Sequence, residues 1–489
     1  MNLKQQIFRG SFWIFVGNAG QQAFSLFLFV YLARVLNPVD FGIVALAAVV
    51  LDFVIAGGRC GQIEVLQRRT QSDNIIDSTS FWLLQALGVL LSVCILLSAR
   101  PLALAASTPL LESTLYLLAP LPFIQNVGAV HEARLRRNFK YRALAMRNVL
   151  ATMSGGIVAL WLAHRGRGIE ALIAQRLVYA AVTTVAVWIS VGWKPSFRFD
   201  TAAAPTLLRS GKDIALATLI GMANPRIVDA MVGFMLGAHW LGYLKLAWRA
   251  ADFVTQFAVQ PITSVALSTF SRFQHDTAGL KRAYLRMTQI MALVVLPIFA
   301  GLALIAPVFI PLTFGAKWHD SIILLQLLGV MYFAAPITYF FAPALNAVGA
   351  TSTVLRQGMG QLVLTLVLTA IGAQWGVVPV MVAHVLRAYI VSGYNLAALK
   401  RHVGFSLQEL SARMLPIGAA IAGMAVVVSA LKALSLPPWA FIAVATVCGS
   451  AAYVGIFFAG DFLRLWPGYT GQLRAVFAEA VGKPDWKPR

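Results

Sequence analysis

The chain has 489 residues, of which 59% are hydrophobic and only 12% charged, and it carries a net charge of +21. A soluble globular domain carries about 25% charged residues, whereas apolar runs of about 20 residues, long enough to cross a bilayer core, recur here from end to end. A transmembrane β-barrel is excluded because its strands alternate polar and apolar residues, and nucleic acid is excluded as a partner because the basic residues sit in short loops between apolar runs, where they fix membrane orientation.

In chain order the candidate spans are 10–36, 41–58, 79–99, 113–131, 147–164, 169–192, 212–236, 241–265, 287–311, 320–346, 357–374, 376–397, 412–431 and 438–460, which makes 14 helices. The opening "MNLKQQIFRGSFWIFVGNAG" has basic residues ahead of an apolar run but no small-residue cleavage site, so it reads as the first span and not as a cleaved signal. With the N-terminus inside, 28 of the 39 Lys and Arg fall in inner segments, six in outer segments and five within helices. That asymmetry predicts cytoplasmic termini and supports the span count, since one missed helix would invert every later loop. The densest basic segment, "HEARLRRNFKYRALAMR" (131–147), reads as a stop-transfer signal attracted to anionic membrane lipid. The three cysteines, Cys60, Cys94 and Cys448, are far apart and lack metal-ligand spacing.

"GIVALAAVVLDF" (42–53) returns 200 residues later as "GYLKLAWRAADF" (242–253), with Gly42/Gly242, Leu46/Leu246, Ala47/Ala247, Asp52/Asp252 and Phe53/Phe253 coincident. The offset spans six helices, an even number, so the copies share an orientation and form a parallel repeat. Transporters built this way carry their substrate path between the halves, near the midplane. The halves are predicted at 1–200 and 201–403, each a six-helix bundle, with 404–489 holding an appended helix pair and a tail.

A charge at the bilayer centre costs at least about 2.5 kcal/mol, so embedded charges face a partner or a cavity. The cations are Arg176, Arg226, Lys245, Arg249 and Arg387, and the acids placed within helices 2, 7 and 8 are Asp52, Asp229 and Asp252. Arg226–Asp229 and Arg249–Asp252 are spaced i, i+3 and can neutralise themselves along a helix, and Asp52 can pair across the halves. Lys245 and Arg176 are near enough to helix ends to snorkel, whereas Arg249 and Arg387 lie deeper. Five cations against three acids leave positive charge to attract an anion, and the planar guanidinium fork suits phosphate. The five cations are the predicted substrate-binding residues, and the three aspartates are the candidates for coupling to Na+ or H+. No catalytic residue, metal site or resident cofactor is expected, because the chain has no nucleophile elbow, metal-ligand spacing or phosphate-cradling glycine loop.

Several segments carry a family resemblance. "LARVLNPVDFGIVALA" (32–47) resembles the first-helix exit of Wzx-type oligosaccharide flippases, in the superfamily that also holds MATE exporters and MviN-like flippases. "EVLQRRTQSDNIIDSTSFW" (64–82), "ARLRRNFKYRALAMRNVLATMSGGIVAL" (133–160), "GIEALIAQRLV" (168–178) and "LGYLKLAWRAADF" (241–253) are similar to its colanic-acid-exporter subgroup. The resemblance implies a V-shaped pair of six-helix bundles around a central cavity. It further implies alternating-access transfer of a polyprenyl-pyrophosphate-linked oligosaccharide across the bacterial inner membrane, for exopolysaccharide or lipopolysaccharide synthesis. A glycan polymerase and co-polymerase are the expected protein partners. The competing readings are a MATE-like ion-coupled exporter, against which the embedded cations argue, and a membrane glycan polymerase, against which the short outer loops argue.

Overall fold

The computed structural model describes residues 20–59, 61–68, 73–404, 406–463 and 465–466. Among them every regular element is helical. The chain divides into two compact units, Met1–Lys245 and Leu246–Arg489.

The first unit contains α1 (20–35), α2 (Pro38–Gly58), α3 (Gln62–Arg68), α4 (Asn74–Ala105), α5 (Pro109–Leu118), α6 (Leu121–Arg137), α7 (Tyr141–His164), α8 (Gly168–Val191) and α9 (Ala203–Met235). The division falls within α10 (Ala238–Val254). The elements begin and end where the local chemistry says they should. Pro38 opens α2 at a position where no N–H is needed, and the Asn37 N–H donates to Asp40 Oδ2 at 3.1 Å. Asp73 caps α4 by accepting from Ile75 N at 2.8 Å. Gly237, at φ +94, turns the chain from α9 into α10. α6 packs against α4 and α8, and α2 packs against α9. One buried cluster joins Leu66, Phe81, Leu84 and Val130.

The second unit contains α11 (Gln260–Ser264), α12 (Ala266–Phe270), α13 (Thr277–Phe314), α14 (Ser321–Met331), α15 (Ala335–Ala347), α16 (Thr351–Gly372), α17 (Val377–Val403), α18 (Leu407–Leu431) and α19 (Pro438–Phe462). Here α18 and α19 pack on α13, around Leu296, Ile417, Met424 and Phe441. In both units large apolar side chains such as Ile189, Val426 and Val447 stand exposed, as a surface facing lipid requires.

Among the described residues ten helices are long and apolar enough to cross a membrane, or eleven with α9, which is bent by 40° between Leu216 and Thr218. The expected count of 14 is thus not confirmed among the described residues. The expected span 10–36 lies partly outside the described residues, and 20–35 alone is helical there. The expected span 113–131 is shared by α5 and α6, broken where Pro120 interrupts the backbone ladder. The expected span 241–265 breaks at a π-helical turn, Thr255–Val259, just ahead of Pro261, whose missing N–H forces the hydrogen bonds out of register.

A charge network within the membrane helices

α9, α10, α2 and α8 bring five of the eight predicted residues together. α9 carries Pro225 next to Arg226, so residue 225 donates no hydrogen bond and one carbonyl a turn earlier is freed. Arg226 Nη2 lies 2.5 Å from Asp52 Oδ2 on α2. Its Nη1 reaches Asp229 Oδ2, one turn along its own helix, at 3.5 Å. Lys245 Nζ on α10 closes tightly on the same Asp229 oxygen. Arg176 on α8 lies close enough to feel the charges of Asp52 and Arg226. Among the described residues three cations therefore share this neighbourhood with two carboxylates, an excess of one positive charge. Asp229 is 3% exposed, while the side chains of Arg226, Lys245 and Asp52 keep 25 to 30% of their surface open. Asp229 is thus sealed while Arg226, Lys245 and Asp52 around it remain partly open.

The i, i+3 pairing that spacing predicts for Arg226 and Asp229 is therefore the weaker contact of each. Both find better partners on other helices, which no single-helix pattern displays.

The remaining predicted residues lie in the second unit and form two separate groups. The Arg249 guanidinium sits 4.8 Å from the Phe253 ring centroid, a cation–π arrangement. It also feels Asp252 one turn on. Asp252 is near two tyrosines, Tyr332 and Tyr339, and the Tyr332 hydroxyl lies 3.0 Å from Thr255 Oγ1. On α17, Arg387 Nη1 donates to Thr365 Oγ1 of α16 at 3.3 Å, and its Nε has no partner. No carboxylate among the described residues lies within ion-pairing distance of Arg387. His384, one turn earlier and 3% exposed, has both ring nitrogens unpartnered. Arg387 and His384 together form an under-satisfied polar spot in an apolar helix pair.

Two features escaped the sequence. His131 reads as interfacial because it lies at the end of a span. It is instead fully buried, stacked on Trp188 with centroids 4.3 Å apart, and its Nε2 is 3.1 Å from the Trp193 carbonyl oxygen. The basic segment 131–147 is also not simply solvated. Arg134 and Arg137 pair with Asp77 at 3.1 and 3.3 Å, and Arg136 and Arg147 pair with Glu132 at 2.6 and 2.9 Å. The available signal was a lone acid, Glu132, inside a run of arginines.

Comparison with known proteins agrees with this architecture. A family model described as "Polysaccharide biosynthesis protein" matches residues 31–323. The succinoglycan biosynthesis transport protein ExoT of Rhizobium meliloti is 26% identical over 70% of this chain and 69% of its own length. The lipopolysaccharide biosynthesis protein WzxC of Escherichia coli is 23% identical over 68% of each. Among solved structures, the lipid II flippase MurJ in an inward closed conformation superposes with a TM-score of 0.75 at 15% identity, over 92% of this chain and 98% of that one. An inward-facing MATE transporter of the MOP superfamily reaches 0.62 at 16% identity, over 79% and 96%. These likenesses show the fold, a multi-pass all-helical membrane protein of the type that MurJ and the MATE transporters share.

Proposed function

This chain belongs to the polysaccharide biosynthesis protein family, and from that premise we propose that it is a flippase for a lipid-linked oligosaccharide. The expected substrate is a polyprenyl-pyrophosphate-linked repeat unit, moved across the bacterial inner membrane by alternating access, with both termini in the cytoplasm. The observation that carries the reading is the surplus of cations within the membrane helices. Arg176, Arg226 and Lys245 outnumber Asp52 and Asp229, and no acid among the described residues pairs with Arg387. Leaving such charges in the bilayer is costly unless something uses them, and a diphosphate is the group that a set of guanidinium forks and an ammonium binds best. A MATE-like exporter of cationic solutes would instead need a surplus of acids. No covalent step is required, so the protein acts as a transporter and not as an enzyme. Any coupling ion, Na+ or H+, would be taken by Asp52, Asp229 or Asp252. A glycan polymerase and its co-polymerase would receive the flipped unit.

Two measurements test this. Depletion of the protein should make the lipid-linked saccharide accumulate on the inner leaflet, read by mass spectrometry and by its inaccessibility to an external lectin. Unchanged amounts and sidedness would sink the flippase reading. Arg387→Ala should cut export at least about tenfold, the loss of one charge-assisted hydrogen bond, while the melting temperature hardly moves, because no carboxylate is stranded. Arg387→Lys should restore part of the export, keeping the charge but losing the fork.

A further inference from the structure

A second polar site lies away from the charge network, wholly inside the first unit. Arg59, Gln125, Glu132, Arg147, Tyr179 and Thr183 line a cavity of about 240 Å³ where the end of α2 meets α6, α7 and α8. Glu132 is already committed, bridging Arg136 and Arg147. Arg59 feels the charges of Glu132 and Glu64, but among the described residues it forms no close ion pair with either. Its Nη2 donates to the neutral Gln125 Oε1 at 2.9 Å, and its Nε, sealed from solvent, has no hydrogen-bond partner. Two guanidiniums therefore line the cavity against one carboxylate that a third arginine already shares. A phenol and a hydroxyl lie beside them as further hydrogen-bonding groups.

From this we infer that the cavity is a docking site for a phosphate-type oxyanion, and that the oxyanion it takes is the diphosphate of the lipid-linked substrate. The inference deepens the flippase reading and rests on it for the identity of the ligand. Charge selects the class: an anion completes the Arg59 fork and balances the surplus, whereas a neutral sugar leaves the positive charge where it is. Volume selects the portion of the substrate. Pockets that enclose drug-sized molecules run from about 300 Å³ upward, so this one admits a head group and leaves a glycan outside. Position selects the step. Arg59, Glu132 and Arg147 all stand where the charge asymmetry of the loops puts the cytoplasmic ends of their spans, so the site meets the head group on the side where the substrate is made.

The test reads occupancy of the cavity itself. Thr183→Cys, on a background with the three native cysteines changed to serine, places one thiol in the lining. Its alkylation rate by a maleimide is measured on the full-length protein in phosphatidylcholine nanodiscs. Geranylgeranyl diphosphate should slow labelling at least about tenfold, and inorganic diphosphate should protect at higher concentration. Arg59→Gln should shift half-protection by at least about tenfold, with Arg59→Lys intermediate; the lysine variant also serves if the glutamine variant fails to fold. Protection by neither diphosphate overturns the site. Equal protection in phosphatidylglycerol nanodiscs without any diphosphate overturns the assignment to substrate and leaves a lipid headgroup in its place. Normal export by Arg59→Gln, despite lost protection, removes the cavity from the transport path and leaves the flippase reading standing. Failure of the depletion experiment would remove that reading and leave the oxyanion site.

Discussion

α2 and α10 carry the two copies of the internal repeat, and α2 meets the first two turns of α10. Gly42 has no room for a Cβ because the Ala238 backbone carbonyl fills the space; Gly242 has none because of the Pro38 carbonyl. Those four positions are two pairs offset by 200 residues, so the crossing has a local two-fold relation that the sequence repeat records. The side chains around the crossing do not follow it. Lys245 corresponds to Ala45 and Arg249 to Val49, and the partner of Lys245, Asp229, corresponds to Phe29. In the first copy Phe29 packs edge-on against Phe41 at 5.6 Å; in the second, Asp229 holds Lys245. The charge on the second copy is thus one half of a pair: where the preceding helix carries an acid, the repeat helix carries a cation. The backbone contact is common to both copies, and the Lys245–Asp229 pair belongs to one.

The severest way to break this comparison is to strand one half of the pair. Asp229→Asn should destabilise the protein by about 3 kcal/mol, the lower end for breaking a buried ion pair because Lys245 is a quarter exposed, seen as a lower melting temperature in detergent. Installing the first copy's residues together, Asp229→Phe with Lys245→Ala, should recover most of that stability and still abolish export. A double variant as unstable as Asp229→Asn alone would show that the two positions are not a unit.

Next in size, Gly42→Ala and Gly242→Ala should each cost about 1–3 kcal/mol, because a methyl group is driven into a carbonyl that can move only with its helix. The two should lower the melting temperature alike. A silent Gly42→Ala beside a damaging Gly242→Ala would mean the crossing is not symmetric in energy.

The smallest stability effect is expected at the end of the second copy. Arg249→Ala removes a cation–π contact with Phe253 worth about 1 kcal/mol and its attraction to Asp252, so the melting temperature should fall by a few degrees, and export should drop at least about tenfold. Adding Asp252→Ala separates charge balance from binding. Normal export by the double variant would make the pair structural and end the anion-binding role of α10.

Much of this was legible from residues alone. Apolar runs and loop charge gave a multi-pass helical protein, and the membrane cost of a charge picked out Arg226, Lys245, Asp52 and Asp229, which do assemble. Partners were harder. Spacing within α9 pointed Arg226 at Asp229, but the shorter contact runs to Asp52, on a helix more than 170 positions earlier. Arg59 reads as a loop charge because it directly follows an apolar run; its place in a cavity depends on α6, α7 and α8 arriving beside it. Pro120 and Pro261 were visible, but whether a proline merely bends a span or splits it depends on what neighbouring helices do for the freed backbone groups.

By itself, then, the sequence determined that the chain is a multi-pass helical protein, since hydrophobic transfer adds up along a helix and needs no neighbour, and which charges would be expensive in a bilayer. Only the tertiary structure decided which acid neutralises which cation. A Coulomb interaction falls with distance and not with sequence separation, so the choice of partner was made by the close crossing of α2 and α10 and the packing of α9 on α2.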